Sequence, residues 1–206
     1  EEQRVNLLQT TTSAETTAAF WTIDYGGYLI RKCTVAPDGT YTGNLLCSDG
    51  SSTSSRLYFG LSGAGTWTTS FYTKQGASSK TSFWVYAGGG WSYTVNFTWT
   101  NGVLSPDSVG PIVTAVGNGW YRVSCTYTTT GSGSVIVSPA QYAYATVTSS
   151  TYFWGFQHEA ASFATSYVPS TDTFTSRASS ATYFDSTGTL RIAGTNQARY
   201  GYGYDY

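Results

Sequence analysis

No stretch of this chain sustains an apolar stripe at i, i+3, i+4, i+7 over three turns, so an amphipathic helical fold is excluded. Short runs rich in Thr, Tyr, Val and Trp recur instead, broken by Gly or Asn-Gly turns. Only Ser13 to Phe20 could hold a short helix. Such a pattern predicts an all-β fold, an antiparallel two-sheet jelly-roll sandwich rather than a βαβ sheet. The 206 residues suit one such domain with a short appendage. Its material is unusual: Ile, Leu, Val and Phe make up only 37 residues. With 18 Tyr, 10 Phe and 7 Trp and a net charge of −1, the chain is nevertheless not of the disordered class. A core of rings and β-branched residues is expected.

Charge is scarce, at 10 basic and 11 acidic residues, while 34 Thr and 27 Ser supply small hydroxyls. No Lys/Arg cluster exists to neutralise phosphates, which excludes electrostatic nucleic-acid binding. Val123 to Gln157 carries no charge but is studded with Ser, Thr and Gly, so it is not a membrane span. Glu1-Glu2-Gln3-Arg4 has no signal-peptide character, and the missing initiator Met points to a processed chain or an excised fragment. Cys33, Cys47 and Cys125 form no CxxC pair, and reduced buried thiols are expected over a Cys33–Cys47 bridge.

Strand parity sorts side chains onto two faces. Phe71 points inward and Tyr72 and Lys74 outward; Phe83 and Val85 inward and Trp84 and Tyr86 outward. Trp91, Tyr93, Val95, Phe97 and Trp99 share one side of a long strand that ends at the Asn101-Gly102 turn. Tyr121, Val123 and Cys125 form an inward set, with Trp120 and Arg122 outside. In the last clear strand the ring-rich side, Tyr152, Trp154, Phe156 and His158, is taken as inward, leaving Phe153, Gln157 and Glu159 outside. Residues 1–170 thus form the predicted domain. Residues 171–206 follow as a linker over Ser170 to Ser180, a small hairpin from Ala181 to Ile192 turned at Ser186 to Gly188, and a Tyr/Gly-rich tail.

If the strands share one sheet, Tyr72, Lys74, Trp84, Tyr86, Trp120, Arg122, Gln157 and Glu159 lie together on its outer face. Rings beside planar polar groups are what sugars require: pyranose C–H faces stack on rings, and hydroxyls take bidentate hydrogen bonds. Covered rings and an Arg122–Glu159 ion pair are the structural alternative. Catalysis has less to offer. The lone His158 sits at a core position, no Gly-x-Ser-x-Gly elbow exists, and Glu159 has no acidic neighbour two positions away. No HxH, HExxH or CxxC spacing marks a metal, and no cofactor is expected. Asp24, Asp38, Asp49 and Asp172 in loops leave room only for a structural Ca²⁺. Asn96-Phe97-Thr98 matches a glycosylation acceptor in mid-strand, where chance explains it better.

In order along the chain stand Asn6-Leu7-Leu8, Phe20-Trp21, Ala36-Pro37-Asp38-Gly39-Thr40 and Ser70-Phe71-Tyr72-Thr73-Lys74-Gln75-Gly76. Gly117-Asn118-Gly119-Trp120-Tyr121-Arg122, Trp154-Gly155-Phe156-Gln157-His158-Glu159 and Phe163-Ala164-Thr165-Ser166-Tyr167-Val168-Pro169 follow. These blocks resemble a family of tailed-bacteriophage virion modules, the carbohydrate-binding-like jelly-roll (concanavalin-like) domains of tail fibres, head fibres and minor structural proteins. Arg177 to Asp205 is similar to an extension that often follows them. The chain departs at His158, where the family usually has Leu, and at Thr73, where an aliphatic is common.

The resemblance implies a non-catalytic module exposed on the virion, attaching to host surface polysaccharide beside other virion proteins, in a homo-oligomer with a trimer favoured. Its motif residues here are Tyr72, Lys74, Trp120, Arg122, Gln157 and Glu159. The alternatives are a purely architectural role in capsid decoration or fibre assembly, and, ranked below it, a capsule depolymerase acting through Glu159 and Asp172.

Overall fold

The computed structural model describes residues 21–141 and 144–167, and the backbone of 181–184 and 190–193. The chain divides into two units, Arg4–Thr171 and Asp172–Tyr206 with Glu1–Gln3. In the second unit Ala181–Phe184 and Leu190–Ala193 pair antiparallel, the two strands of the expected hairpin. The Ser13–Phe20 helix, the 170–180 linker, the hairpin turn and the Tyr/Gly tail lie outside the described residues.

Twelve strands build the first unit: β1 (Thr22–Asp24), β2 (Gly27–Thr34), β3 (Gly43–Ser48), β4 (Arg56–Leu61), β5 (Ala64–Gln75) and β6 (Lys80–Ala87). They continue as β7 (Gly90–Thr100), β8 (Val103–Pro106), β9 (Ile112–Gly117), β10 (Trp120–Thr130), β11 (Gly133–Ser138) and β12 (Ser150–Glu159). Sheet one has the order β1-β4-β11-β6-β7-β8 and sheet two the order β2-β3-β12-β5-β10-β9. Without the four edge strands, the inner eight in chain order read 2-7-4-5 and 1-8-3-6, which is a jelly roll. Every pairing is antiparallel. No helix occurs among the described residues.

Local chemistry explains the hairpins. Asn101-Gly102 and Asn118-Gly119 both take positive φ, joining β7 to β8 and β9 to β10 in turns whose twist matches the strands. Gly88-Gly89 does the same between β6 and β7. Between the sheets lies an aromatic core in which Phe71 stacks on Phe156 at 5.3 Å and on Phe83 at 5.8 Å. Each such buried side chain contributes about 1.5–3 kcal/mol, so rings replace the missing aliphatics.

Alternation holds through β5, β6 and β10, where Phe71, Phe83, Val85, Val123 and Cys125 are buried inward as expected. It fails where a bulge intervenes. In β7 the register shifts between Val85 and Tyr86, whose partners are Tyr93 and Trp91, so Ser92 is extra and Trp91 turns outward. In β12 Trp154 pairs with Tyr72 and Gln157 with Ser70, which leaves Gly155 and Phe156 opposite Phe71 alone. Gly155 adopts φ 58°, a left-handed conformation that glycine accepts without steric cost. Phe153 and Phe156 therefore both face the core, and Tyr152 and Trp154 face out, reversing the sequence expectation for the first half of this strand. Gln157 and Glu159 are outward and His158 inward, as expected.

All three cysteines are free thiols, with Cys47 and Cys125 buried and Cys33 half-buried. His158 is buried in the core. Its Nδ1 lies 2.9 Å from Thr69 Oγ1, and its ring stacks on Trp67 at 5.0 Å. Burial lowers its pKa from 6.5 to about 4. Between those values the unfolded chain binds the extra proton, so folding stability falls as pH drops. The loss is about 3 kcal/mol across that window. Urea titrations of wild type and His158→Leu from pH 7 to pH 4 should show the wild type losing that much more stability than the variant; carboxylates titrate in both and cancel. Parallel pH profiles would refute the assignment.

Candidate functional site

The eight residues expected to share one face occupy two. Tyr72, Lys74, Trp120, Arg122, Gln157 and Glu159 project from the outer face of sheet two. Trp84 and Tyr86, on β6, project from the outer face of sheet one, on the opposite side of the sandwich.

On sheet two the bulge at Gly155 brings Trp154 beside Trp120 and Tyr72. Trp120 and Trp154 are both buried with Ala36, and two segments of the chain cover this face. The loop between β2 and β3 accepts Trp120 Nε1–H at Val35 O (3.0 Å) and Trp154 Nε1–H at Thr42 Oγ1 (2.9 Å). Residues 160–167 form a strap across the rest. Thr165 is its clasp. Its N–H donates to Glu159 Oε2 at 3.0 Å, its hydroxyl donates to Glu159 Oε1 at 2.7 Å, and the same hydroxyl accepts from Gln157 Nε2 at 2.9 Å. Gln157 Nε2 also donates to Glu159 Oε2 at 2.8 Å. Arg122 Nη2 donates to Thr165 O and, at 3.2 Å, to Ser70 Oγ. Thr68 Oγ1 donates to Ala161 O at 2.8 Å, and Tyr167 packs on Trp154 at 4.8 Å.

Gln157 and Glu159 therefore spend their hydrogen bonds on one another and on the chain's own strap, and Arg122 reaches the strap through Nη2 while its buried Nε has no hydrogen-bond partner. The Arg122–Glu159 ion pair of the alternative reading does not form; both reach Thr165 instead. Glu159 is 2% exposed, so its carboxylate is not presented to an external substrate. Tyr72 and Lys74 are half-buried. The Arg122 guanidinium lies 5.8 Å from the Tyr72 ring centre, burial raises the Tyr72 pKa, and the Lys74 ammonium lies 6.0 Å from the Tyr152 ring centre.

Sheet one carries a different arrangement. Trp84 is 2% exposed, but Tyr86 is 42% and Trp91 50% exposed. Trp91 stands edge-to-face to Tyr86 at 5.2 Å and to Trp84 at 6.3 Å. Parity places Trp91 on the same side as Tyr93, Val95, Phe97 and Trp99; the Ser92 bulge turns it to the other. The signal available was the Gly-rich approach to this strand, since bulges favour such neighbourhoods.

No family model and no curated protein matches the chain. Among solved structures it is similar to the CBM22-1–GH10 modules of Clostridium thermocellum endo-1,4-β-D-xylanase 10B complexed with xylohexaose, at 13% identity and a TM-score of 0.44. The match covers 77% of this chain and 28% of that one, so the chain spans little more than a quarter of the xylanase structure.

The loop aspartates have local duties. Asp24 holds Arg56 through Nε–Oδ1 at 2.7 Å and Nη2–Oδ2 at 3.0 Å. Asp38 accepts from Thr40 and Asp49 from Ser51, while Asp172 lies outside the described residues. No group of three or more His, Cys, Asp or Glu poised around a metal occurs among the described residues. Asn96 Nδ2–H donates to Asp107 Oδ2 at 2.9 Å, and its side-chain oxygen accepts from Ser82, so the glycosylation-like triplet is engaged within the sheet.

Thr165→Val removes the clasp hydroxyl and leaves a buried carboxylate oxygen unsatisfied, a cost of about 2–3 kcal/mol. Trp120→Ala, which empties a buried indole site, should cost about 3–5 kcal/mol. Urea midpoints read both, and limited proteolysis of Thr165→Val should cut within 160–167. Wild-type midpoints in either variant would show that its side chain is not part of the clamp.

Proposed function

We propose that this chain is a non-catalytic glycan-binding module of a virion appendage, and that Trp91 and Tyr86 form its stacking platform. The observation that carries this is the half-exposed indole of Trp91, turned out of the core by a one-residue bulge and braced edge-on by Tyr86 and Trp84. A half-exposed ring braced at its edge loses little conformational freedom on binding, and its exposed surface suits sugar C–H groups. Of the expected sugar-facing set only Tyr86 keeps that role; Trp84, at 2% exposure, is a buried brace. The polar members Arg122, Gln157 and Glu159 are engaged in holding the strap rather than in binding.

The virion setting, the host polysaccharide and a homo-oligomeric fibre rest on the sequence resemblance. Glycan arrays of bacterial envelope polysaccharides, probed with wild type and the Tyr86→Ala/Trp91→Ala double variant, test the reading. Wild type should bind, and the variant should bind at least about tenfold more weakly. It should remain folded by circular dichroism, with a urea midpoint lowered only by the loss of two half-buried rings and their edge contacts, about 1–3 kcal/mol. Equal binding by the variant removes the platform. A silent array with correctly assembled wild type removes glycan attachment altogether and leaves an architectural role in capsid decoration or fibre assembly.

A further inference from the structure

At one end of the sandwich, the turn between β5 and β6 and the loop between β11 and β12 flank an open cleft of about 400 Å³. Its walls are tied down. Ala77 N–H donates to Ser150 Oγ and Ser150 N–H to Ser78 Oγ, both at 3.0 Å, pinning the 76–79 turn to β12. On the other side Tyr144 N–H donates to Gln141 O at 3.0 Å and Ser149 N–H to Thr146 O at 2.9 Å. The volume is within the usual range for small-ligand sites.

The lining mixes polar and apolar surface and carries one charge, that of Lys80. Among the described residues the Lys80 ammonium has no ion pair or hydrogen bond, and the Gln141 amide and the Tyr144 hydroxyl have no partner. Tyr144 is 68% exposed at the rim. Residues bearing an ammonium, a carboxamide and a phenol ring thus line one cleft with Ser and Thr residues, and among the described residues none of the three groups has a partner. We propose that this cleft binds an acidic monosaccharide unit, a pyranose bearing a carboxylate. Lys80 meets the carboxylate, Gln141 and the threonine hydroxyls meet the ring hydroxyls, and the Tyr144 ring covers one sugar face.

The site is separate from Tyr86 and Trp91. Six residues of β6 place Tyr86 roughly 20 Å from Lys80, and the intervening Ser82 and Trp84 are buried. It therefore stands or falls independently of the platform.

The test is an amide-resolved NMR titration with D-glucuronate, with D-glucose and acetate run alongside. Glucuronate should produce saturable shifts at Lys80, Gln141, Tyr144 and the Thr146–Ser149 turn, larger than those from glucose or acetate at equal concentration. Lys80→Met and Tyr144→Ala should each weaken the interaction, by about tenfold for the charge, with the remaining spectrum unchanged. The Tyr86→Ala/Trp91→Ala variant should keep the shifts. Absence of saturable shifts, an equal response to acetate, or an unaltered response in Lys80→Met would each overturn the proposal. Loss of the response in the Tyr86/Trp91 variant would overturn it as a separate site.

Discussion

One left-handed residue in a central strand decides what the outer face of sheet two can do. Gly155 lets β12 carry two residues opposite Phe71, so Phe153 and Phe156 enter the core together while Trp154, Gln157 and Glu159 line the outer face of sheet two. A side chain at 155 would meet resistance twice: a Cβ there lies 3.0 Å from Tyr72 and 3.3 Å from Tyr167, and φ is in the region that branched residues avoid. Without the bulge, alternation would return Trp154 to the core and bring Phe153 out. The strap would then lose the ring on which Tyr167 rests.

The strap follows from that placement. A carboxylate on a sheet face has two stable ends, solvent or a full set of donors, because an isolated buried charge is costly. Glu159 takes the second, and Thr165 supplies two of its three donors from a single residue. Arg122 and Gln157 complete the clasp. The rings nearby obey the same logic: each indole N–H of Trp120 and Trp154 ends on the loop that covers it. This part of sheet two is therefore covered by the chain itself, whereas the half-exposed rings Tyr86 and Trp91 stand on sheet one.

Much of this was legible in residue order. Asn101-Gly102, Asn118-Gly119 and the glycines before Trp91 announce the turns, and alternation places Phe71, Phe83, Val123 and Cys125 inside. Two physical facts stay hidden from a period of two. A bulge advances the phase by one residue, so alternation puts Tyr152 and Trp154 on the wrong face and Trp91 on one side with Tyr93, although an isolated glycine inside Trp154-Gly155-Phe156 is the kind of residue that marks one. Parity also says outward without saying from which sheet. Trp84 and Trp120 share that property and sit on opposite sides of the molecule. The Lys80 cleft is less legible still, because its walls come from segments about sixty residues apart along the chain.

Hydroxyl chemistry takes the place that charge holds in most surfaces. Along β5 and β10, Thr68 Oγ1 lies 2.8 Å from Thr126 Oγ1 and Thr66 Oγ1 lies 3.3 Å from Thr128 Oγ1; inside, Thr69 Oγ1 lies 2.8 Å from the Tyr127 hydroxyl. Such cross-strand pairs each contribute a few tenths of a kcal/mol up to about 1 kcal/mol and depend little on ionic strength. A chain stabilised this way needs few ions; among the described residues Arg56 is held by Asp24 and Arg122 reaches the strap. Against that background Lys80, in an open cleft with no ion pair among the described residues, is not accounted for by the fold's own stability. Its ammonium is where a charged ligand group would find a partner without displacing one.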